Sequence, residues 1–455
     1  MSKRRSVALA ATITIVGGIA ACGDGDSPTG PAPDEVTPEI VAWLRSSVAP
    51  FETVEVRDDR HDLQAFGEMV GSARIVSLGE ATHGTREFFA MKHRILDYLV
   101  REKGFTIFAI EATWPEMNRI DDWVKGAGQP SDAETLLAGQ YFWTWNTETV
   151  FDLMHWARDY NLTEGAAEPV SVLGFDMQFP GMAIHNVRAV LEPIDPDGAA
   201  FAAGEYECLP ANDPSGSFSA RYDDASVIAQ AACRGRIDAV HDYLVANRSS
   251  LETMSSSESF ARALQSARLV QQFEDFAAGR SPGARDLYMA ENVDWLLEQA
   301  GPDARAVLWA HNGHVRDAPG WMGSYLRAEH GSDMVIVGFD FDRGSFTAVA
   351  TLPGGVGGLQ EHTVGPAPAG SYESYFRAAG EPRFFLDLRG RGYASPATSW
   401  LAGPRLMRAV GAVYTPLEPE RFFLNVAMPQ QFDVMIYIEV SSATTLLSGI
   451  PPDAF

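Results

Sequence analysis

Continuous apolar runs of strand length recur along this chain, and each stops at an ionisable residue. "ARIVSL" (73–78) runs into Gly79-Glu80, "FTIFAI" (105–110) into Glu111, and "PVSVLGF" (169–175) into Asp176. "RAVLWA" (305–310) runs into His311 and "DMVIVGF" (333–339) into Asp340. Runs without polar alternation suit strands covered on both faces. Helical patterns lie between them at 64–70, 85–102, 148–160 and 286–299. Strand then helix, repeated, predicts an α/β fold whose mostly parallel sheet is flanked by helices. Ligands of such sheets bind beyond the carboxyl ends of the strands. At least three of the five ionisable ends are therefore expected to share one site.

Residues 183 to 280 differ in texture. "DPDGAAFAAGEYECLPANDPSGS" is loop-like, whereas "ASVIAQAACRGRIDAVHDYLVANRSS" and "SFARALQSARLVQQFEDFAAG" read as helices. This predicts a helical insertion between the third and fourth strands, either capping the cleft or packing away from it. Beyond residue 341, short strand candidates such as "FDVMIYIEV" (432–440) alternate with Gly/Pro-rich loops. No repeat of fixed period is present.

The composition, 46% apolar and 21% charged over 455 residues, is that of a globular protein with a large core. A formal charge of −25 argues against a nucleic-acid partner. The N-terminus changes the picture more. Lys3, Arg4 and Arg5 precede an uncharged run, Ser6 to Ala21, that ends in small residues before Cys22. Together these make an export signal over residues 1–21, since about 16 weakly apolar residues fall short of the roughly 20 a spanning helix needs. Cys22 directly after the small residues resembles a lipoprotein acylation site, which implies anchoring to a bacterial membrane on its periplasmic or exterior side. Residues 22–37, rich in Gly, Pro and Asp, then read as a flexible tether to a domain at 38–455. Loss of the leader takes away three positive charges and no negative ones, which leaves about −28. The remaining cysteines, Cys208 and Cys233, are expected to form a disulfide in an oxidising compartment; two separate buried thiols are the alternative.

The chemistry concentrates in "SLGEATHGTREFFAMKHRILDYLV" (77–100). On a helix from Thr85 to Glu102, Phe88, Ile95 and Leu99 form one apolar line, and Lys92 falls on it. A buried lysine costs several kcal/mol unless it is paired, so Lys92 is expected to face carboxylates at the strand ends. His93, flanked by Phe89 and Leu96, reads equally as a core histidine or a site residue. Glu80 and His83 lie in the glycine-bracketed turn before this helix, and "WAHNGHV" supplies His311 and His314 after another strand. Glu-x-x-His with His-x-x-His has the residue types for a divalent metal. The same set supports metal-free activation of water by a histidine that a carboxylate orients. No G-x-S-x-G stands near a strand end, which argues against a serine nucleophile.

"SLGEATHGTREFFAMKHRILDYLVREKGFTIFAIEATWPE" (77–116) resembles the N-terminal signature of the erythromycin esterase family. "VSVLGFDMQ" (170–178), "RDLYMAENVDWLL" (285–297) and "AVLWAHNGHVRD" (306–317) are similar to its later motifs, in the same order. The resemblance implies hydrolysis of an ester or lactone, macrolides in the named members, by an activated water. It assigns catalysis to His83, Glu80, Glu111, His311 and His314. At Lys92 the named macrolide esterases carry arginine, whose bidentate recognition lysine does not reproduce. Asp176, Arg285 and Tyr288 are expected to contact or support the substrate. The resemblance implies no required cofactor and leaves a divalent metal open. The rival reading is a surface lipoprotein that captures haem or a metal through its histidines, and a transesterification step in envelope polysaccharide metabolism is a third. The expected partner is a small-molecule ester or lactone.

Overall fold

The computed structural model describes residues 35–163, 168–209, 222, 225–281, 283–352, 355–390 and 392–447. The leader, Cys22 and most of the tether lie outside them.

The strands, in chain order, are β1 (Val48–Pro50), β2 (Ile75–Leu78), β3 (Ile107–Thr113), β4 (Ser171–Asp176), β5 (Ala306–Trp309), β6 (Met334–Asp340) and β7 (Arg343–Leu352). They continue with β8 (Gly355–Val364), β9 (Arg383–Asp387), β10 (Arg405–Arg408), β11 (Val413–Tyr414), β12 (Phe423–Val426), β13 (Val434–Ile438) and β14 (Val440–Ser441). Eight of them form one sheet in the order β1-β9-β13-β6-β2-β5-β3-β4. From β13 to β4 every pairing is parallel; near one edge β9 alone runs the other way, pairing antiparallel with both β13 and β1. The fold is α/β, as the repeated strand-then-helix pattern predicts.

Successive residues of the central strands enter two different cores. Ile75, Ile107, Leu308 and Ile336 pack on one face. Val76, Phe108, Val307 and Val335 pack on the other. Burial on both faces is the physical reason these runs show no polar alternation.

Between β4 and β5 the helices Gly181–Leu191, Pro196–Tyr206, Val227–Ala246, Arg248–Met254 and Ser257–Ala277 share the first of these cores with the sheet. Cys208 and Cys233 are joined by a disulfide across this group. No helix among the described residues is long and apolar enough to cross a membrane.

Strand order decides which loops meet. Strand β5 inserts between β2 and β3, and β4 lies beyond β3. The carboxyl ends of β2, β5, β3 and β4 therefore stand in a row, although the chain visits them in another order. The loop after β2 is held from outside this sheet as well. The Thr347 N–H of β7 donates to the Gly84 carbonyl at 3.0 Å, and so does the Thr444 N–H at 3.0 Å. A Cβ on Gly84 would stand 2.0 Å from the Thr347 carbonyl oxygen. Gly84→Ala is accordingly expected to cost about 1–3 kcal/mol or more by overpacking against backbone. A thermal midpoint equal to wild type would show that this close approach does not exist in solution.

Candidate active site

The turn from β2 into the helix Arg86–Lys103 is built around one carboxylate. Glu80 is fully buried and accepts three hydrogen bonds. His83 Nδ1 approaches Oε1 at 2.6 Å, while Lys92 Nζ at 2.5 Å and Trp309 Nε1 at 2.6 Å donate to Oε2. The helix places Lys92 below the turn because Phe88, Lys92, Ile95 and Leu99 fall on one line, all of them buried. The ammonium also lies 4.3 Å from the Trp309 ring centroid and 5.3 Å from that of Phe339, a cation–π environment. Burial pulls the Lys92 pKa down to about 8, against the upward pull of Glu80 and then Glu111. At neutral pH it is still an ammonium.

A second carboxylate organises the other half. Glu111 Oε1 accepts from Arg285 Nη2 at 2.7 Å, and Oε2 accepts the His311 backbone N–H at 2.9 Å. Arg285 also reaches both oxygens of Asp176, at 3.3 and 2.8 Å. Burial opposes ionisation of Glu111, yet His314, Arg285 and His83 around it hold its carboxyl well below the usual range. Burial likewise opposes the charge on Arg285, and Asp176 and Glu111 outweigh it and raise its pKa.

The three histidines differ in state. His83 gives its Nδ1 to Glu80, which leaves Nε2 uncommitted on a side chain 16% exposed. His311 accepts the Gly313 N–H on Nδ1 at 3.0 Å, so its proton sits on Nε2. That Nε2 is buried and has no hydrogen-bond partner. The Ala81 carbonyl, which accepts the Val410 N–H at 2.6 Å, makes no hydrogen bond to that Nε2, yet it pulls the His311 pKa up. Burial, then His83 and His314, drive the His311 pKa far below the ordinary value. It is a neutral donor facing an unfilled role, with its ring 5.2 Å from that of His83. His314 hydrogen-bonds Asp286 through Nδ1 at 2.7 Å, and its Nε2 faces Arg285 Nη1 at 3.0 Å and Glu111 at 3.3 Å. Burial works against its protonation, but Glu111 and Asp286 prevail and its pKa is raised.

Four of the five strand ends thus converge. Asp340 does not: it lies beside Glu373, and burial followed by that neighbouring carboxyl pushes its pKa well above the usual range. Two further expectations place residues away from the cluster. His93 turns its ring towards Trp156, with centroids 5.4 Å apart, and burial lowers its pKa to about 4. Tyr288 donates its hydroxyl to Asp275 at 2.6 Å, within the neighbouring helices.

Trp309, Asp286 and Asn312 are the additions that the sequence reading lacks. Asn312 ties the loops together, since its N–H donates to the Glu80 carbonyl at 2.8 Å and its amide pairs with the Phe339 backbone at 2.7 and 3.1 Å. Asp286 was within reach of sequence reasoning, as an acid directly beside Arg285. Trp309, inside an apolar run, carried no such signal.

The family model described as erythromycin esterase matches residues 100–441, which contain Glu111, Asp176, Arg285, His311 and His314. The chain belongs to the erythromycin esterase family. It is 25% identical over 307 residues to erythromycin esterase type II of Escherichia coli, covering 61% of this chain and 69% of that one. The protein YbfO of Bacillus subtilis is 24% identical over 440 residues, 87% of this chain and 90% of its own. A Bacillus cereus protein of known crystal structure is 26% identical, with a TM-score of 0.77, covering 90% of this chain and 99% of that one.

The residues present in this family member do not fit a resident metal. Among the described residues no three His, Cys, Asp or Glu side chains are grouped as ligands. Glu80 is taken by three donors, Glu111 and Asp176 by Arg285, and the remaining His311 nitrogen carries a proton. What the arrangement offers is one imidazole with an open Nε2 lone pair next to a second with an unused N–H. Its electrostatic keystone is the Glu80–Lys92 pair. Lys92→Met is expected to destabilise the fold by about 3–5 kcal/mol, because it leaves a buried carboxylate without its cation. Urea unfolding checks this, and a loss within experimental error of zero would refute the pairing.

Proposed function

We propose that this protein hydrolyses a carboxylic ester or lactone with water activated by His83. The observation that carries the reading is the orphaned Nε2–H of His311 beside the open Nε2 of His83. Buried donors without partners are rare in native structures. One set next to a general base is suited to an oxyanion.

In this mechanism Glu80 fixes the His83 tautomer through Nδ1, so that Nε2 takes a proton from water. The hydroxide forming there attacks the carbonyl carbon. Negative charge grows on the carbonyl oxygen, and His311 donates to it. The depressed pKa keeps this imidazole neutral, so it polarises the carbonyl as an N–H donor and not as an imidazolium. Collapse of the tetrahedral intermediate breaks the bond to the leaving oxygen, which takes up the proton held by His83. His314, braced by Asp286, and Arg285 keep Glu111 ionised on the far side of the cleft, so that Glu111 holds the His311 backbone in place. Lys92 neutralises Glu80, which would otherwise resist burial.

Similarity to relatives named for erythromycin supports testing macrolide lactones as substrates. The lysine at position 92 makes simpler esters equally worth trying. Haem or metal capture through the histidines is the competing outcome, and it would show as stoichiometric uptake without ester turnover. Export and lipid anchoring at Cys22 complete the proposal, supported by the leader's pattern and by a disulfide of the kind oxidising compartments permit.

His83→Ala is expected to lower kcat on the best ester of a panel by about a hundred- to ten-thousandfold with its thermal midpoint retained. Undiminished turnover would sink the assignment. The pH profile tests Lys92. Below about pH 8 its ammonium balances Glu80, and above it the balance is lost. The value of kcat/KM should therefore fall as pH rises through that region. In Lys92→Arg the guanidinium stays charged, and the fall should move to higher pH. A limb unmoved in this variant would assign it to another group.

A further inference from the structure

Residues 408–412, the end of β10 and the segment that follows, pass the edge of the His83 ring and are pinned from four sides. Glu373 accepts the Arg408 N–H at 2.5 Å, and the Ala409 N–H donates to the Phe422 carbonyl at 2.8 Å. The Val410 N–H donates to the Ala81 carbonyl at 2.6 Å, and the Val349 N–H to the Ala412 carbonyl at 2.8 Å. The one residue of this stretch without such a tie through its own backbone is Gly411, among the bonds the described residues show.

Gly411 needs no glycine for its backbone, since its φ lies outside the left-handed region. Nor does crowding demand one. A Cβ built there would meet only His83, at 3.9 Å from Cδ2 and 4.0 Å from Nε2. Gly411 is the described glycine for which the nearest atoms beyond its chain neighbours are those of the His83 ring. Gly84, by contrast, is excluded from bearing a side chain by backbone at 2.0 Å. The Cδ2–Nε2 edge is the part of His83 left free once Nδ1 is committed to Glu80.

We propose that Gly411 is a positioning residue that keeps open the space at His83 Nε2 and so determines the size of the nucleophile admitted there. The inference rests on His83 being the base that activates water. Glycine leaves room for water and for a small alcohol. In either case the nucleophile's oxygen forms the new bond to the carbonyl carbon, its proton passes to Nε2, and the leaving oxygen departs with that proton. A methyl group at 4 Å from Nε2 narrows the approach without disturbing the pinned backbone, and misplacing a reacting atom by about an ångström can cost on the order of a hundredfold.

The test compares wild type, Gly411→Ala and Gly411→Val on p-nitrophenyl butyrate, with and without methanol as a competing acceptor. The expected result for Gly411→Ala is kcat lower by about tenfold or more, an unchanged KM and thermal midpoint, and a smaller share of methyl butyrate relative to butyrate. Valine should extend the trend. Equal kcat in the alanine variant overturns the proposal. So does a loss of kcat with the methanol-to-water ratio unchanged, which marks a merely structural role. Carbethoxylation of His83 by diethyl pyrocarbonate, followed by peptide mass spectrometry, reads the same space without any turnover. It should slow in Gly411→Ala, and an equal rate refutes the claim. If wild type cleaves no ester, the hydrolytic reading fails, while the carbethoxylation rates still decide the role of Gly411.

Discussion

Everything in the candidate site hangs on a carboxylate that has been taken out of water. Glu80 has no exposed surface, and an unpaired charge in that position would cost several kcal/mol. Three donors meet it from three separate parts of the chain: the turn (His83), the following helix (Lys92) and a neighbouring strand (Trp309). Among them Lys92 is an ammonium at neutral pH and brings the opposite charge. The ammonium is itself buried among Trp309, Phe339 and Phe89, so neither charge is tolerable without the other. The pair offsets two desolvation costs and at the same time orients the imidazole that faces the cleft.

The second carboxylate works by a different balance. Glu111 meets Arg285, which is shared with Asp176, and a backbone N–H of His311. Holding His311 by its backbone frees its ring, and the Gly313 N–H then settles which nitrogen bears the proton. The outcome is three histidines with three distinct electrical characters within one cleft. One is tethered to a carboxylate and open at Nε2, one is kept neutral, and one is drawn towards its proton by Glu111 and Asp286. Such separation of otherwise identical groups is what acid–base chemistry at one pH requires.

Much of this was legible beforehand, for identifiable reasons. Ile75 to Leu78 and Ala306 to Trp309 are buried on both faces, and that burial leaves unbroken apolar runs in the sequence. Parallel strands put their carboxyl ends on one edge, and that alone groups Glu80, Glu111, Asp176 and His311. Lys92 betrayed itself by interrupting a helical stripe. The fifth end, Asp340, follows an equally apolar strand yet lies beside Glu373, outside the group of at least three that was expected. Which side of a strand end a residue takes depends on the neighbouring layer, and helix Tyr372–Ala378 is remote in sequence.

The sequence by itself determined the α/β alternation, the helix that buries Lys92, and the identity of the groups that carry charge. Local periodicity and the cost of burying charge are properties of short stretches, and short stretches display them. The order β6-β2-β5-β3-β4 was decided only in the tertiary structure, because β5 begins more than a hundred residues after β4 ends and still inserts between β2 and β3. That insertion sets Trp309 against Glu80 and His311 beside His83. It also leaves Gly411, from the far C-terminal part of the chain, lying over the edge of the His83 ring. Contacts of this kind depend on which strands are neighbours, and no local pattern encodes that.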